Sequence, residues 1–289
     1  MIVNFPLPDV NIKETEVIRA VKMPLISTDN LQLNQNEFYM QIDGVGKFCA
    51  CNGKEIEFNP EPDASQSSVE LYLNGSVYGA ILHQRMILPL HGSSFVWKEH
   101  GVLLCGESGA GKSSLTAGFC FSGAEFLTDD VTPIKIENHK PVIIPLSDRI
   151  KLWNDSLIQM DQKPCELVAI HPGHDKYYLP IKNVLHNKFP LHFIFLIEVS
   201  EYENIEFIPL TGVQKFTALR NEIYRWEYLS AMPATEQEYI KILIELASSV
   251  EIVKIHRPKT IPIMEMIKHL KSNIYHLIVN SDEIIHEVF

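Results

Sequence analysis

The stretch Gly106-Glu107-Ser108-Gly109-Ala110-Gly111-Lys112-Ser113 fits the pattern G-x-x-x-x-G-K-[ST] at every position, and no other feature restricts the fold of this chain as strongly. Such a loop works only between a buried strand and a helix. Its glycines let backbone N–H groups close around phosphate oxygens, and the helix that begins there turns its positive end toward them. The flanks supply both elements. Residues 102–105 are a short apolar run suited to a buried strand. Residues 112–122 set Leu115 and Phe119 one turn apart, ahead of Gly123 at a helix C-cap position. The segment from Gly106 to Ser114 is therefore expected to bind a nucleoside triphosphate. Lys112 would reach the β- and γ-phosphates, and the Ser113 hydroxyl would reach magnesium. ATP and Mg2+ are the expected donor and cofactor.

The rest of the chain fits an α/β context. Residues 1–89 read as short alternating segments broken by turn formers, with Asn52-Gly53 marking a tight hairpin, so a small antiparallel β-rich region is expected there. Residues 69–83 remain open between strand and helix. Residues 90–289 form the catalytic part. Strands are expected at 125–136, 192–199, 205–209 and 250–256, and helices at 211–231, 235–249 and 261–271.

A second feature lies one helix beyond the loop, where residues 125–128 lead into Asp129 and Asp130. Adjacent carboxylates at a strand end can divide two tasks, one holding magnesium and the other accepting a proton from an attacking hydroxyl; a solvated turn is the commoner fate of such a pair. His91-Gly92 precedes the loop strand; on spacing alone a lone histidine is more often structural or simply exposed than part of an active site. Arg149 and Lys151 could stabilise transferred charge or lie on an exposed strand edge, and Lys176 could reach a phosphate or simply be solvated. His171 and His174 read as loop residues rather than a metal pair. Arg220 and Arg225 read as surface residues. The five scattered cysteines, with Cys49 and Cys51 two apart, lack the partners of a zinc site and read as reduced thiols.

Leu90-His91-Gly92, the loop from Gly106 to Ser113, and Leu127-Thr128-Asp129-Asp130-Val131, in this order and spacing, resemble the catalytic domain of HPr kinase/phosphorylase. The match is close over 91–131 and loose to about residue 270. The resemblance implies a P-loop kinase fold of the HPr kinase and phosphoenolpyruvate carboxykinase type. It implies Asp129 as general base toward a substrate serine, Ser113 and Asp130 as metal ligands, and His91 near the reacting phosphate. The segment 148–155 lacks the glycine-rich pattern that the family links to dephosphorylation, so phosphorylase activity is not expected. The chain looks closer to relatives that have a β-rich leader region and phosphorylate the C-terminal serine of lasso-peptide precursors. Relatives that form hexamers leave a homo-oligomer open, although the sequence carries no interface signature.

Composition sets the remaining bounds. A formal net charge of −11 argues against a broad nucleic-acid surface, and the apolar runs are too short to span a bilayer. With no signal peptide at the N-terminus, the cytoplasm is the expected location. The favoured reading is a kinase acting on a serine of a peptide or protein. The alternatives are a kinase for a small hydroxy metabolite such as free serine, and a nucleotide-sensing protein that transfers nothing.

Overall fold

The computed structural model describes residues 1, 3–170 and 175–287. Six short strands make the N-terminal sheet: β1 (Asn11–Glu14), β2 (Ile26–Ser27), β3 (Leu31–Leu33), β4 (Glu37–Ile42), β5 (Gly46–Cys51) and β6 (Glu55–Pro60), ordered β1-β6-β5-β4-β3-β2. The hairpin between β5 and β6 turns at Asn52 and Gly53, a left-handed pair (φ 53° and 67°) closed by Lys54 N–H donating to Cys51 O (3.0 Å). The pairing is antiparallel except at β1, which joins β6 in parallel.

Alternation along these strands sends Phe38, Phe48 and Phe58 to one buried face. Two helices cover that face, α1 (Gln66–Tyr72) and α2 (Tyr78–Gln84), joined without a break by the π-helical turn Leu73–Val77. Residues 69–83 are thus helical. Val69, Leu73, Val77 and Ile81 recur every four positions and are fully buried. Val131, Tyr228, Ala231 and Met232 join the same core, so the N-terminal unit packs directly on the rest of the chain.

The main sheet contains β7 (Leu88–Trp97), β8 (His100–Gly106), β9 (Glu125–Thr128), β10 (Val131–Glu137), β11 (Lys140–Ile143), β15 (Phe189–Ser200), β16 (Glu206–Pro209) and β17 (Glu251–Pro258). A small three-stranded sheet lies between β11 and β15 in sequence, built from β12 (Arg149–Trp153), β13 (Val168–Ala169) and β14 (Lys176–Pro180). The order β11-β10-β7-β8-β15-β17-β16 is mixed: β8, β15 and β17 run parallel, the outer pairings are antiparallel, and β11 also pairs with β15. Helices α3 (Lys112–Phe121) and α7 (Ile263–Glu287) cover one face, and α5 (Val213–Asn221) and α6 (Pro233–Ser249) the other. The short α4 (Asn154–Gln159) packs beside β12. Helix α3 ends with Gly123 at φ 99° and the bonds Gly123 N–H to Cys120 O (3.0 Å) and Ala124 N–H to Phe119 O (3.0 Å), the paired closure expected of a C-terminal glycine.

Three expectations change. The strand over 125–136 is two strands, β9 and β10, parted at Asp129 and Asp130 while both pair with β7. The helix over 211–231 stops at Asn221. Residues 222–224 instead bond to β7, through His91 N–H to Glu222 O (2.8 Å) and Tyr224 N–H to Pro89 O (2.9 Å), and Arg225 takes a left-handed φ of 55° before a 3-10 turn, Trp226–Ala231. The last helix runs on to Glu287. His171 and His174 lie outside the described residues. All five cysteines are free, and among the described residues no helix is long and apolar enough to cross a membrane.

Candidate active site

Strand β8 delivers the glycine-rich loop and α3 receives it, as its mechanism demands. Gly106 closes the strand at φ 134°, and a Cβ there would stand 2.3 Å from the Ile197 carbonyl oxygen, so no other residue fits. Gly109 and Gly111 take φ values of 87° and 95°, leaving Glu107, Ser108 and Gly109 at the exposed tip and Ala110 buried. The first N–H groups of α3, at Lys112, Ser113 and Ser114, have no intrahelical acceptor and sit at the positive end of the helix. Lys112 folds back onto the loop, donating to the carbonyls of Gly106 (2.6 Å) and Glu107 (3.0 Å). Burial lowers its pKa, against the nearby negative charge of Glu222, Asp130 and Asp129.

Asp129 and Asp130 occupy a tight reversal. Val131 N–H donates to Asp129 O (2.9 Å) across Asp130, whose φ is 73°. A three-residue turn with positive φ at a non-glycine centre is strained, by roughly 1–3 kcal/mol. The surroundings hold it in place. Gly92 N–H donates to Asp130 O (3.2 Å), and a Cβ on Gly92 would meet the Leu104 carbonyl oxygen at 2.6 Å, which accounts for the glycine after His91. Behind the turn runs a chain of buried hydroxyls. Ser94 meets Thr128 at 2.6 Å, Thr128 meets Thr132 at 2.6 Å, and Thr132 donates to Gly92 O at 3.2 Å. Thr128 and Thr132 flank the two aspartates, so their contact clamps the turn from beneath.

The two carboxylates have different partners. Asp129 accepts from the Ser113 hydroxyl (2.7 Å) and from Lys151 N–H (2.8 Å); burial and the adjacent Asp130 push its pKa up. Asp130 is half-exposed at its side chain; desolvation acts in the same direction, but the Lys151 ammonium at 2.8 Å outweighs it and brings the pKa down to about 2. His91 Nε2 lies 3.9 Å from Asp130, and burial followed by the Lys112 charge lowers the His91 pKa. The strand thus brings Lys151 into the site through both backbone and side chain. Arg149 stacks on Tyr178, with the guanidinium carbon 4.1 Å from the ring centroid. Lys176 lies over the Trp153 ring at 5.4 Å.

Three residues here went unnoticed in the sequence. Glu222 accepts the Gly106 N–H through Oε2 (3.2 Å), and burial raises its pKa. Arg257 at the end of β17 donates to Ala110 O (3.3 Å). Ser156 accepts from Ser114 (3.0 Å), tying α4 to the loop helix. Glu222 sat inside an expected helix and Arg257 just past an expected strand, so no pattern marked either. Arg220 is exposed, as expected, 3.5 Å from Glu236. Arg225 is only partly at the surface: one guanidinium nitrogen lies 3.5 Å from Glu227 and the other donates to Ser76 Oγ (2.9 Å).

The fold and this site define a mixed α/β protein with a glycine-rich strand–loop–helix facing two aspartates, a histidine and a lysine. No family model matches the chain, and neither does any curated protein. Among solved structures, the HPr(Ser) kinase/phosphatase from Coxiella burnetii aligns over 65% of this chain and 97% of its own, at 14% identity and a TM-score of 0.36. That likeness is distant and bears on neither activity nor residue roles.

Proposed function

We propose that the protein is an ATP-dependent phosphotransferase that phosphorylates a serine hydroxyl on a peptide or protein. The observation that carries this reading is the contact between Ser113 of the loop and Asp129 of the strained turn, which joins a phosphate cradle to an acid–base cluster. The residues fit the expected ligands. The loop offers inward N–H groups and Lys112 to a triphosphate. Ser113 and Asp129 offer oxygen donors to magnesium, and among the described residues there is no group of three or more His, Cys, Asp or Glu that would form an all-protein metal cage. Magnesium bound there would neutralise charge on the phosphates.

The contacts favour a division of labour opposite to that implied by the family resemblance. Asp129, already bonded to Ser113, belongs on the metal side. Asp130 and His91 face the acceptor. In the reaction the acceptor oxygen bonds to the γ-phosphorus, the bond to the β–γ bridging oxygen breaks, and ADP leaves. The hydroxyl proton goes to His91, which burial keeps neutral, and Asp130 steadies the imidazolium. Lys151 keeps Asp130 ionised and adds positive charge beside the transferred group.

The test is mass spectrometry of acceptors after incubation with magnesium and ATP, using a lasso-type precursor ending in serine, HPr protein and free serine. Phosphate on one acceptor, lost in Lys112→Ala, supports the reading. Absence of transfer with ATP binding intact refutes it in favour of nucleotide sensing. Asp129→Asn then separates the two assignments: a metal-side Asp129 predicts weaker magnesium-dependent nucleotide binding, and a base predicts unchanged binding. A cavity of about 470 Å³ at the aspartates also suits a compact acceptor, which keeps free serine as the second reading.

A further inference from the structure

We infer that Arg257 is a nucleotide-binding residue, and that it meets the two phosphates that stay on the departing diphosphate. This rests on the phosphotransferase reading and deepens it. Arg257 lies at the end of β17, in the parallel part of the main sheet. Gly106 pairs with Ile197 and Ile197 with Ile255, so Arg257 stands two residues beyond the row where β8 gives way to the glycine-rich loop. Ligands of parallel sheets bind at this rim, past the carboxyl ends of the strands. Alternation along β17 puts Arg257 on the face of Ile255, which shares a buried core with Ala110 and Leu115. The guanidinium therefore rises beside the start of α3. Its Nη1 donates to Ala110 O (3.3 Å), and a Cβ on Gly111 would lie 3.5 Å from the same nitrogen.

The cations of this stretch are unequally paired. Lys254 meets Glu198, His256 lies 3.2 Å from Glu206, and Lys259 lies 3.9 Å from Glu201. Arg257 alone of the four has no carboxylate within ion-pair distance among the described residues. Its Nε is buried without a hydrogen-bond partner, and burial lowers its pKa. A neutral donor would suffice to hold the Ala110 carbonyl. Withdrawing a guanidinium from water without a counterion costs free energy that one long carbonyl bond does not return. The group is suited to an anion that the ligand brings, and its fork of N–H donors matches phosphate oxygens.

Position assigns the phosphates. The Ser113 hydroxyl meets Asp129 at the end of β9, which pairs with β7, so the reacting end of the triphosphate belongs on the β7 side of β8. Arg257 approaches from the other side, across β15. The γ-phosphate then lies with Lys112 and the aspartates, and Arg257 is left with the α- and β-phosphates. Its contact outlasts transfer, so Arg257 holds ADP as firmly as ATP.

The experiment is calorimetric titration of MgADP, and of magnesium with a non-hydrolysable ATP analogue, into the wild type, Arg257→Met and Arg257→Lys. Thermal unfolding of each protein without nucleotide runs beside it. Arg257→Met should weaken both nucleotides alike, by about 10–100-fold, and Arg257→Lys by less, because the charge remains. Without nucleotide, Arg257→Met should melt no lower than the wild type, since it sheds an uncompensated buried charge. In the wild type, phenylglyoxal should label Arg257, read by peptide mass mapping, and saturating MgADP should protect it. Affinity of Arg257→Met within about twofold of the wild type overturns the inference, as does a loss confined to the ATP analogue. So does labelling that MgADP does not slow, or a loss of affinity that comes with a lower melting temperature, the mark of a bolt on the loop. Any of these with wild-type nucleotide binding intact leaves the phosphotransferase reading standing. Arg257-dependent binding of ADP without phosphoryl transfer sinks that reading and leaves Arg257 in its place.

Discussion

His83 should make the stability of this protein fall as the solution is acidified, by an amount the structure sets. The residue is fully buried at the end of α2, where it meets the Tyr239 hydroxyl (3.1 Å) through Nδ1 and the Tyr224 carbonyl (2.9 Å) through Nε2. A carbonyl only accepts, so Nε2 carries the proton of a neutral ring. Burial lowers the pKa from 6.5 to about 4. The unfolded chain therefore binds the extra proton at a higher pH than the folded one does, and stability declines between about pH 6.5 and about pH 4 as pH falls. At about 1.4 kcal/mol per pH unit the full effect is about 3.4 kcal/mol, of which about 2 kcal/mol is expressed between about pH 7 and about pH 5. The assay is urea unfolding at those two pH values for the wild type and His83→Gln, whose amide can make both hydrogen bonds but cannot titrate. Other groups that titrate in this range, among them His91, His192, Asp129 and Glu222, are common to both proteins and cancel in the difference. Equal pH dependence in the two proteins would show that the buried ring is not held neutral, or that water reaches it. The bond matters beyond stability, because His83 joins the N-terminal helices to the segment 222–225 that carries Glu222 and Tyr224.

Thr128→Val removes the centre of the hydroxyl chain under the aspartates and leaves buried partners unsatisfied; it should cost about 1–3 kcal/mol in unfolding and lower the transfer rate more than nucleotide affinity, with Thr128→Ser restoring both. Gly92→Ala forces a Cβ to within 2.6 Å of the Leu104 carbonyl oxygen, and thermal denaturation should show a loss of about 2–3 kcal/mol. Lys112→Ala should reduce transfer by roughly 10²–10³-fold, measured in single-turnover assays with radiolabelled ATP. The pH–rate profile should have an acid limb set by His91, whose lowered pKa keeps transfer active below the ordinary histidine value of 6.5 and lets it fall at lower pH; in His91→Asn that limb should vanish with the activity it reports.

How much of this was legible in the sequence follows from how local each determinant is. The glycine-rich loop, its flanking strand and helix and the Gly123 cap depend on residues within a few positions of each other, and they read directly. So did the Asn52-Gly53 hairpin, where two adjacent residues fix the turn. The break between β9 and β10 did not, because Asp129-Asp130 carries no glycine to mark a reversal; the pairing of both halves with β7 accompanies the positive φ at Asp130. The end of α5 at Asn221 was hidden for the same reason. Residues 222–224 have ordinary helical character, and bonds to His91 and Pro89, more than 130 positions away, override it. Lys151 reads from the sequence only as a cation on a strand edge or near transferred charge, and its place beside Asp130 depends on how the small sheet docks.

The strained turn explains why adjacent aspartates need not share a task. On a regular strand, consecutive side chains point to opposite faces, and one of the two would be lost from the site. The positive φ at Asp130 breaks that alternation and leaves both carboxylates beside β12, where Lys151 meets one through its backbone N–H and the other through its ammonium. The Lys151 N–H and the Ser113 hydroxyl both favour the ionised form of Asp129, but burial and the neighbouring carboxylate outweigh them and raise its pKa. A full positive charge holds Asp130 ionised. The same lysine therefore creates the asymmetry, and moving its charge should reverse it. In Lys151→Met the backbone bond to Asp129 survives while Asp130 loses its ammonium, so the Asp130 pKa should rise. Carbon-13 NMR titration of the aspartate carboxyls would follow this directly. An Asp130 resonance still titrating near 2 in that variant would show that something other than Lys151 keeps it charged.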